Sequence, residues 1–213
     1  MQAQQDTLST TQDSLPAVKQ PVKIRFGFDL GKYVWARLNN STSYDFYADA
    51  NFYKNYYLIV ETGTETHQTE TSLLKYQTKG NYYKIGIDYN MYENWLDMDN
   101  DITVGVRYAF ADFDYLLQAY RINQPDAAFT PQMNEVNQKF DHLSAQWLDI
   151  TGKIQAETFR HLYIGYAVSL KYLLNYSSID NFEVSYIPGF FERNAYSRFG
   201  FGMQYFISYQ IKF

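Results

Sequence analysis

The chain contains no cysteine, which excludes disulfides, thiolate metal sites and an amino-terminal lipidated cysteine. It also lacks long apolar runs; none approaches the roughly 18 residues that suggest a transmembrane helix. Histidine is scarce, with only three residues, His67, His142 and His161. Positive charge is in deficit, leaving a net charge of −5 and no general attraction to nucleic acid or anionic lipid. Phosphate-binding loops, basic stripes and coiled-coil heptads are absent as well. Aromatic residues, in contrast, are abundant: Tyr 22, Phe 16 and Trp 3.

The carboxy-terminal stretch explains where the aromatics go. Phe199, Phe201, Met203, Tyr205, Ile207, Tyr209, Ile211 and Phe213 occupy one parity, and Gly200, Gly202, Gln204, Ser208, Gln210 and Lys212 fall on the other. Successive strand side chains point to opposite faces, so this is a strand with one apolar face. Seven similar segments precede it, at about 22–35, 43–52, 56–66, 80–91, 102–116, 144–157 and 162–174. Only alternate residues of a membrane barrel face lipid, so such a chain needs no apolar run. The reading is an all-β protein: an eight-stranded antiparallel transmembrane up-and-down β-barrel with both termini periplasmic. Residues 1–21 are polar, carry Pro16 and Pro21, and read as a flexible periplasmic tail; 22–213 form the barrel. Such a protein is exported to the outer membrane. Its opening Met1-Gln-Ala3 has no signal-peptide character, so that peptide is expected to be already removed.

A soluble eight-stranded barrel would turn the apolar parity inward. Glycine-rich second faces, aromatic residues near both strand ends and long strands argue for the membrane alternative. The second parity is then the lumen. It carries Arg25, Asp29, Asp49, Glu61, Lys84, Asp88, Arg107, Asp149, Lys153, Lys171 and Arg198 as a charge network, with Asp45, Glu65, Glu157 and Lys212 on the same parity. An eight-stranded interior holds only its own side chains, and unpaired charge there is costly. A packed, salt-bridged, non-porous lumen follows. The residues Tyr205, Ile207, Tyr209, Ile211 and Phe213 read as the carboxy-terminal signal to the barrel assembly machinery, and outer-membrane lipid is the expected surrounding.

Catalytic and metal signals are thin. Glu65, His67, Asp141 and His142 share an end of the barrel but lack regular ligand spacing, so neither metal nor cofactor is expected. His142-Leu-Ser144 resembles the His-x-Ser pair of outer-membrane lipid A deacylases, and a base-activated serine beside acyl chains makes chemical sense. However, Ala145 stands where that family has asparagine, and Glu157 lies on the wrong parity to orient the histidine. The long connections at about 116–141 and 175–194 include apolar residues such as Ile187, Phe190 and Phe191. They suggest either a protein partner or loops packed on one another.

Several segments carry a family likeness: Phe26-Gly-Phe-Asp-Leu-Gly-Lys32, Tyr89-Asn-Met-Tyr-Glu-Asn-Trp95, Val104-Gly-Val-Arg-Tyr-Ala-Phe110, Tyr186-Ile-Pro-Gly-Phe190 and Ser197-Arg-Phe-Gly-Phe201. They resemble a family of small outer-membrane barrels from Bacteroidota known only as a domain of unknown function. The resemblance spans the chain from about residue 20 and implies no catalytic residues. It implies a place in an outer-membrane assembly or secretion complex. The expected function is thus a non-enzymatic, non-porous accessory subunit with protein partners and no nucleic acid. The alternatives are a lipid hydrolase using His142 and Ser144, and surface adhesion through the external loops.

Overall fold

The computed structural model describes residues 22–39, 41–94, 99–121, 133–179, 182–194 and 196–213. Eight strands close an antiparallel barrel: β1 (Lys23–Asp29), β2 (Thr42–Tyr53), β3 (Tyr56–Glu70), β4 (Leu74–Asn90), β5 (Asp101–Tyr120), β6 (Asn134–Phe159), β7 (Leu162–Tyr176) and β10 (Phe199–Lys212). Each pairs with its sequence neighbour, and β1 closes against β10 with Lys23 opposite Lys212 and Asp29 opposite Phe206. The two-residue strands β8 (Tyr186–Ile187) and β9 (Phe191–Glu192) form a separate hairpin between β7 and β10.

The alternation settles which face is which. Ile85 and Ile87 on β4, Val104 and Val106 on β5, and Phe201 and Met203 on β10 are all exposed, as are Tyr205, Tyr209, Ile211 and Phe213 of the last strand. Their neighbours Lys84, Asp88, Arg107 and Asp149 are buried. An apolar exterior around a charged interior suits lipid. Phe52, Tyr53, Tyr56 and Tyr89 cluster at the end with short turns, with Tyr56 and Tyr89 rings 4.9 Å apart, as an interfacial girdle. Barrels of this type turn their short connections to the periplasm, and Lys23 and Lys212 lie at that end.

Three differences from the expected strands matter. First, β1 stops at Asp29 and the chain becomes the helix α1 (Leu30–Leu38), so the strand predicted to about residue 35 is only seven residues long. The Asp29 carboxylate accepts the Lys32 N–H at 3.0 Å and caps the helix. Leu30, Val34 and Leu38, spaced four apart, stay exposed on the outer face beside Trp35, while Ala36 is buried. Gly31 lies against β10, where a Cβ would meet Tyr205 at 3.0 Å. The helix thereby fills the barrel wall where β1 is missing between β2 and β10.

Second, the strands on the opposite side overrun the expected rim. The predicted loop at 67–79 is β3 and β4 continuing to a three-residue connection, and β5 and β6 extend well into the predicted irregular stretch. Pro125 and Pro131 fall outside the described residues, as does the tail at 1–21. Third, the β8–β9 hairpin folds inward. Ile187 and Phe190 are fully buried with Trp147, Tyr76, Tyr115 and Leu173, so the outer half of the barrel has an apolar core. The choice between partner-binding and packed loops falls to packing for Ile187 and Phe190.

Candidate functional site

Beneath that apolar core the lumen is a lattice of paired charge. Asp49 accepts from Arg25 Nε at 2.7 Å and from Lys153 Nζ at 3.1 Å. Arg25 also pairs with Asp101, which further accepts from Asn90 at 2.6 Å and Gln155 at 3.0 Å. Glu61 meets Arg107 at 2.6 Å and Lys84 at 3.2 Å, while Lys84 reaches Asp149 at 2.9 Å and Arg107 reaches Asp88 at 3.1 Å. Nearer the outside, Lys32 of α1 pairs with Asp45 at 2.7 Å and with Glu65. Arg25, Lys32, Lys84, Arg107 and Lys153 thus each meet two carboxylates, as burial demands. Voids of about 20 and 10 Å³ remain between these groups, room for one water molecule or less.

Parity located most of this lattice but misplaced some members. Arg198 is exposed, because β10 begins only at Phe199, and it reaches no more than the Leu174 carbonyl at 3.5 Å. Asp29 is a helix cap, not an ion-pair partner. Lys171 donates to the backbone carbonyl of Gly189 at 2.6 Å, anchoring the inward hairpin. Three members escape the parity reading: Lys32 because it lies on a helix, Asp101 because it sits on a turn boundary, and Tyr82, whose hydroxyl accepts from Lys32 at 3.0 Å, because an uncharged ring carries no mark of an ion-pair lattice. Glu157 accepts the His161 N–H at 2.7 Å in a turn.

Asp99 closes the periplasmic mouth. It accepts from Lys23 at 2.6 Å, Lys212 and Gln210 at 2.9 Å, and Tyr163 at 3.0 Å. It therefore separates two lysines that face each other across the closing seam, an arrangement otherwise repulsive. Burial would raise the Asp99 carboxyl, but hydrogen bonds from Lys23, Gln210 and Lys212 outweigh it and hold the group well below the usual range. The folded carboxyl is depressed, so its stabilisation is present above the unfolded value near ~3.9 and fades as pH falls below that. Asp99→Asn should lower stability by about 1 kcal/mol at pH 7, a modest figure because both lysines are partly exposed. The gap should shrink at pH 3, as measured by urea unfolding in lipid vesicles.

On the external side lies a cleft of about 610 Å³. It runs between α1, the start of β2, the ends of β3 and the β8–β9 hairpin, and reaches Phe201 of β10. Lys32, Glu65 and Phe191 form its floor. Glu65 accepts from the Tyr186 hydroxyl at 2.9 Å and the Gly189 N–H at 3.2 Å, tying hairpin to wall. His67, beyond the end of β2, stacks on Tyr186 with centroids 3.9 Å apart, and burial lowers its basicity.

Residues 1–213 match the family described as Domain of unknown function (DUF6048). The chain belongs to that family. No curated protein matches this DUF6048 member. Among solved structures it is similar to the crystal structure of Ail, the attachment invasion locus protein of Yersinia pestis. The identity is 9% and the TM-score 0.41, over 90% of this chain and 97% of that one.

The DUF6048 barrel does not assemble the His-x-Ser pair into a catalytic unit. Ser144 faces outward, but its hydroxyl meets Ser177 Oγ at 3.4 Å, and its N–H goes to the same oxygen at 2.9 Å. His142 sits in a bulge with φ 57°, its N–H bound to Asp114, and its ring makes no hydrogen bond to Ser144. Glu65, His67, Asp141 and His142 likewise form no cluster placed to hold a metal ion. Asp141 pairs with Lys139 at 2.5 Å, His67 bonds Thr69 at 2.9 Å, and Glu65 is committed to the hairpin.

Proposed function

We propose that this protein is a non-enzymatic, non-porous outer-membrane barrel serving as an accessory subunit of a protein assembly or secretion complex. The observation that carries this reading is the filled lumen: paired charges below, an apolar plug above, and voids of single-water size between. A barrel without a passage acts through its surfaces. One surface suited to a protein partner is the raised wall. Residues 134–143 of β6 pair with β5 only, since β7 joins β6 from Ala145 onward. That free edge rises beyond the rim with mostly exposed side chains. The apolar last strand serves insertion by the barrel assembly machinery.

Affinity purification through a tag in the amino-terminal segment, from gently solubilised membranes, should recover stoichiometric protein partners. Recovery of the barrel alone in several detergents would sink the subunit role. Purified protein in planar bilayers should be silent; reproducible conductance steps would refute the non-porous part. Outer-membrane lipid acylation should be identical in Ser144→Ala and parent strains, and a difference would restore the hydrolase reading.

A further inference from the structure

We propose that the external cleft binds a sugar ring, neutral or amine-bearing, a property beyond the accessory role. The size suits a small ligand, since sites of this kind span roughly 300–1,000 Å³. Its walls mix hydroxyl and amide groups, such as Thr66 and Gln68, with aromatic surface from Trp35 and Phe201. Sugars present that same mixture, with equatorial hydroxyls beside apolar C–H faces. Ser43 lines the cleft while only 5% exposed, and its Oγ has no hydrogen-bond partner. That hydroxyl is closed off in the empty cleft; a change of its χ1 rotamer would turn it toward the cleft, where a ligand's hydroxyl would satisfy it.

Charge selects the kind of sugar. The Lys32 ammonium is consumed by Asp45 and Glu65. His67 is held toward its neutral form by burial. Glu192 contributes a carboxylate that makes no ion pair among the described residues. Among the described residues no free cation therefore greets a phosphate, whereas an amine or neutral ring is acceptable. Position gives two routes of entry. Trp35 is 70% exposed and Phe201 57%, and both lie beside the stretch where α1 replaces β1 in the wall. A soluble saccharide enters from outside, and a glycolipid headgroup enters from the outer leaflet.

The test uses three probes on purified, refolded barrel: maltotriose, a glucosamine trisaccharide, and nanodiscs containing monogalactosyl diacylglycerol. Binding is read by calorimetry and by Trp35 emission, with Trp35→Phe identifying the signal. Saturable binding of either trisaccharide supports the site with a soluble source; binding of the nanodiscs alone supports it with a lipid source. Ser43→Ala should weaken binding about tenfold while the barrel stays folded by circular dichroism. Thr66→Trp, at the rim, should block the cleft. Absence of saturable binding to all three probes overturns the proposal. So does undiminished binding in both variants, or preferential binding of inorganic phosphate.

Discussion

Asp49→Leu should lower the unfolding free energy of the barrel by about 3–5 kcal/mol, among the largest losses any single lumenal substitution produces. The Asp49 side chain is fully buried and accepts from both Arg25 and Lys153, themselves almost fully buried. Its removal strands two cations where water cannot replace the lost partner. Each retains one carboxylate, Asp101 for Arg25 and Asp88 for Lys153 at 3.3 Å, which keeps the loss within this range. A second change distinguishes pairing from packing. Arg25→Met alone should also destabilise, yet adding it to Asp49→Leu should cost less than the two separate losses combined. The coupling should exceed about 1 kcal/mol, since the residues share a contact. Urea unfolding in phospholipid vesicles, followed by tryptophan emission, measures all three variants. A loss below about 1 kcal/mol for Asp49→Leu would mean that the lumen is already wet.

That lattice was legible in the sequence because a strand's period of two needs no tertiary knowledge. Once Ile85, Ile87, Val104 and Val106 mark the lipid side, Lys84, Asp88 and Arg107 must face inward. Partners across the lumen were not legible, since Lys84 and Asp149 lie on different strands and meet only when the barrel closes. The wall helix escaped for a different reason. Leu30, Val34 and Leu38 satisfy a helical spacing and an even strand parity equally well. The deciding features were Asp29 as a cap and the unbroken Val34-Trp35-Ala36, which spoils alternation. Arg198 shares the inward parity but stands one residue before the strand's start at Phe199, where parity no longer sets direction. The raised wall was hidden because outside the bilayer both faces of a strand are permitted to be polar, as in Thr64 to Glu70. The apolar Ile187 and Phe190 mark the plug segment in the sequence but not the inward direction of its fold, and the cleft has no local signature. Ile187 and Phe190 are buried by Trp147 and Tyr115, far away in sequence, and the cleft draws on five separate segments.

The plug itself furnishes the second large effect: Gly189→Val should cost about 2–4 kcal/mol and still leave the barrel electrically silent. Gly189 has φ +77°, a conformation a β-branched residue resists. A Cβ there would also stand 2.5 Å from the Tyr82 ring, which is itself buried and cannot swing aside cheaply. Displacing the turn further costs Lys171 its carbonyl acceptor and Glu65 its backbone donor. The hairpin should therefore loosen, seen as protease sensitivity within residues 183–193 and a lower unfolding midpoint. Conductance should not follow, because the Arg25–Asp49–Lys153 and Glu61–Lys84–Arg107 clusters lie below the hairpin and fill the periplasmic half. A current through Gly189→Val would place the seal in the plug alone. Silence with reduced stability would place it in the charge lattice, which makes the hairpin a support for the outer half of the barrel and for the floor of its cleft.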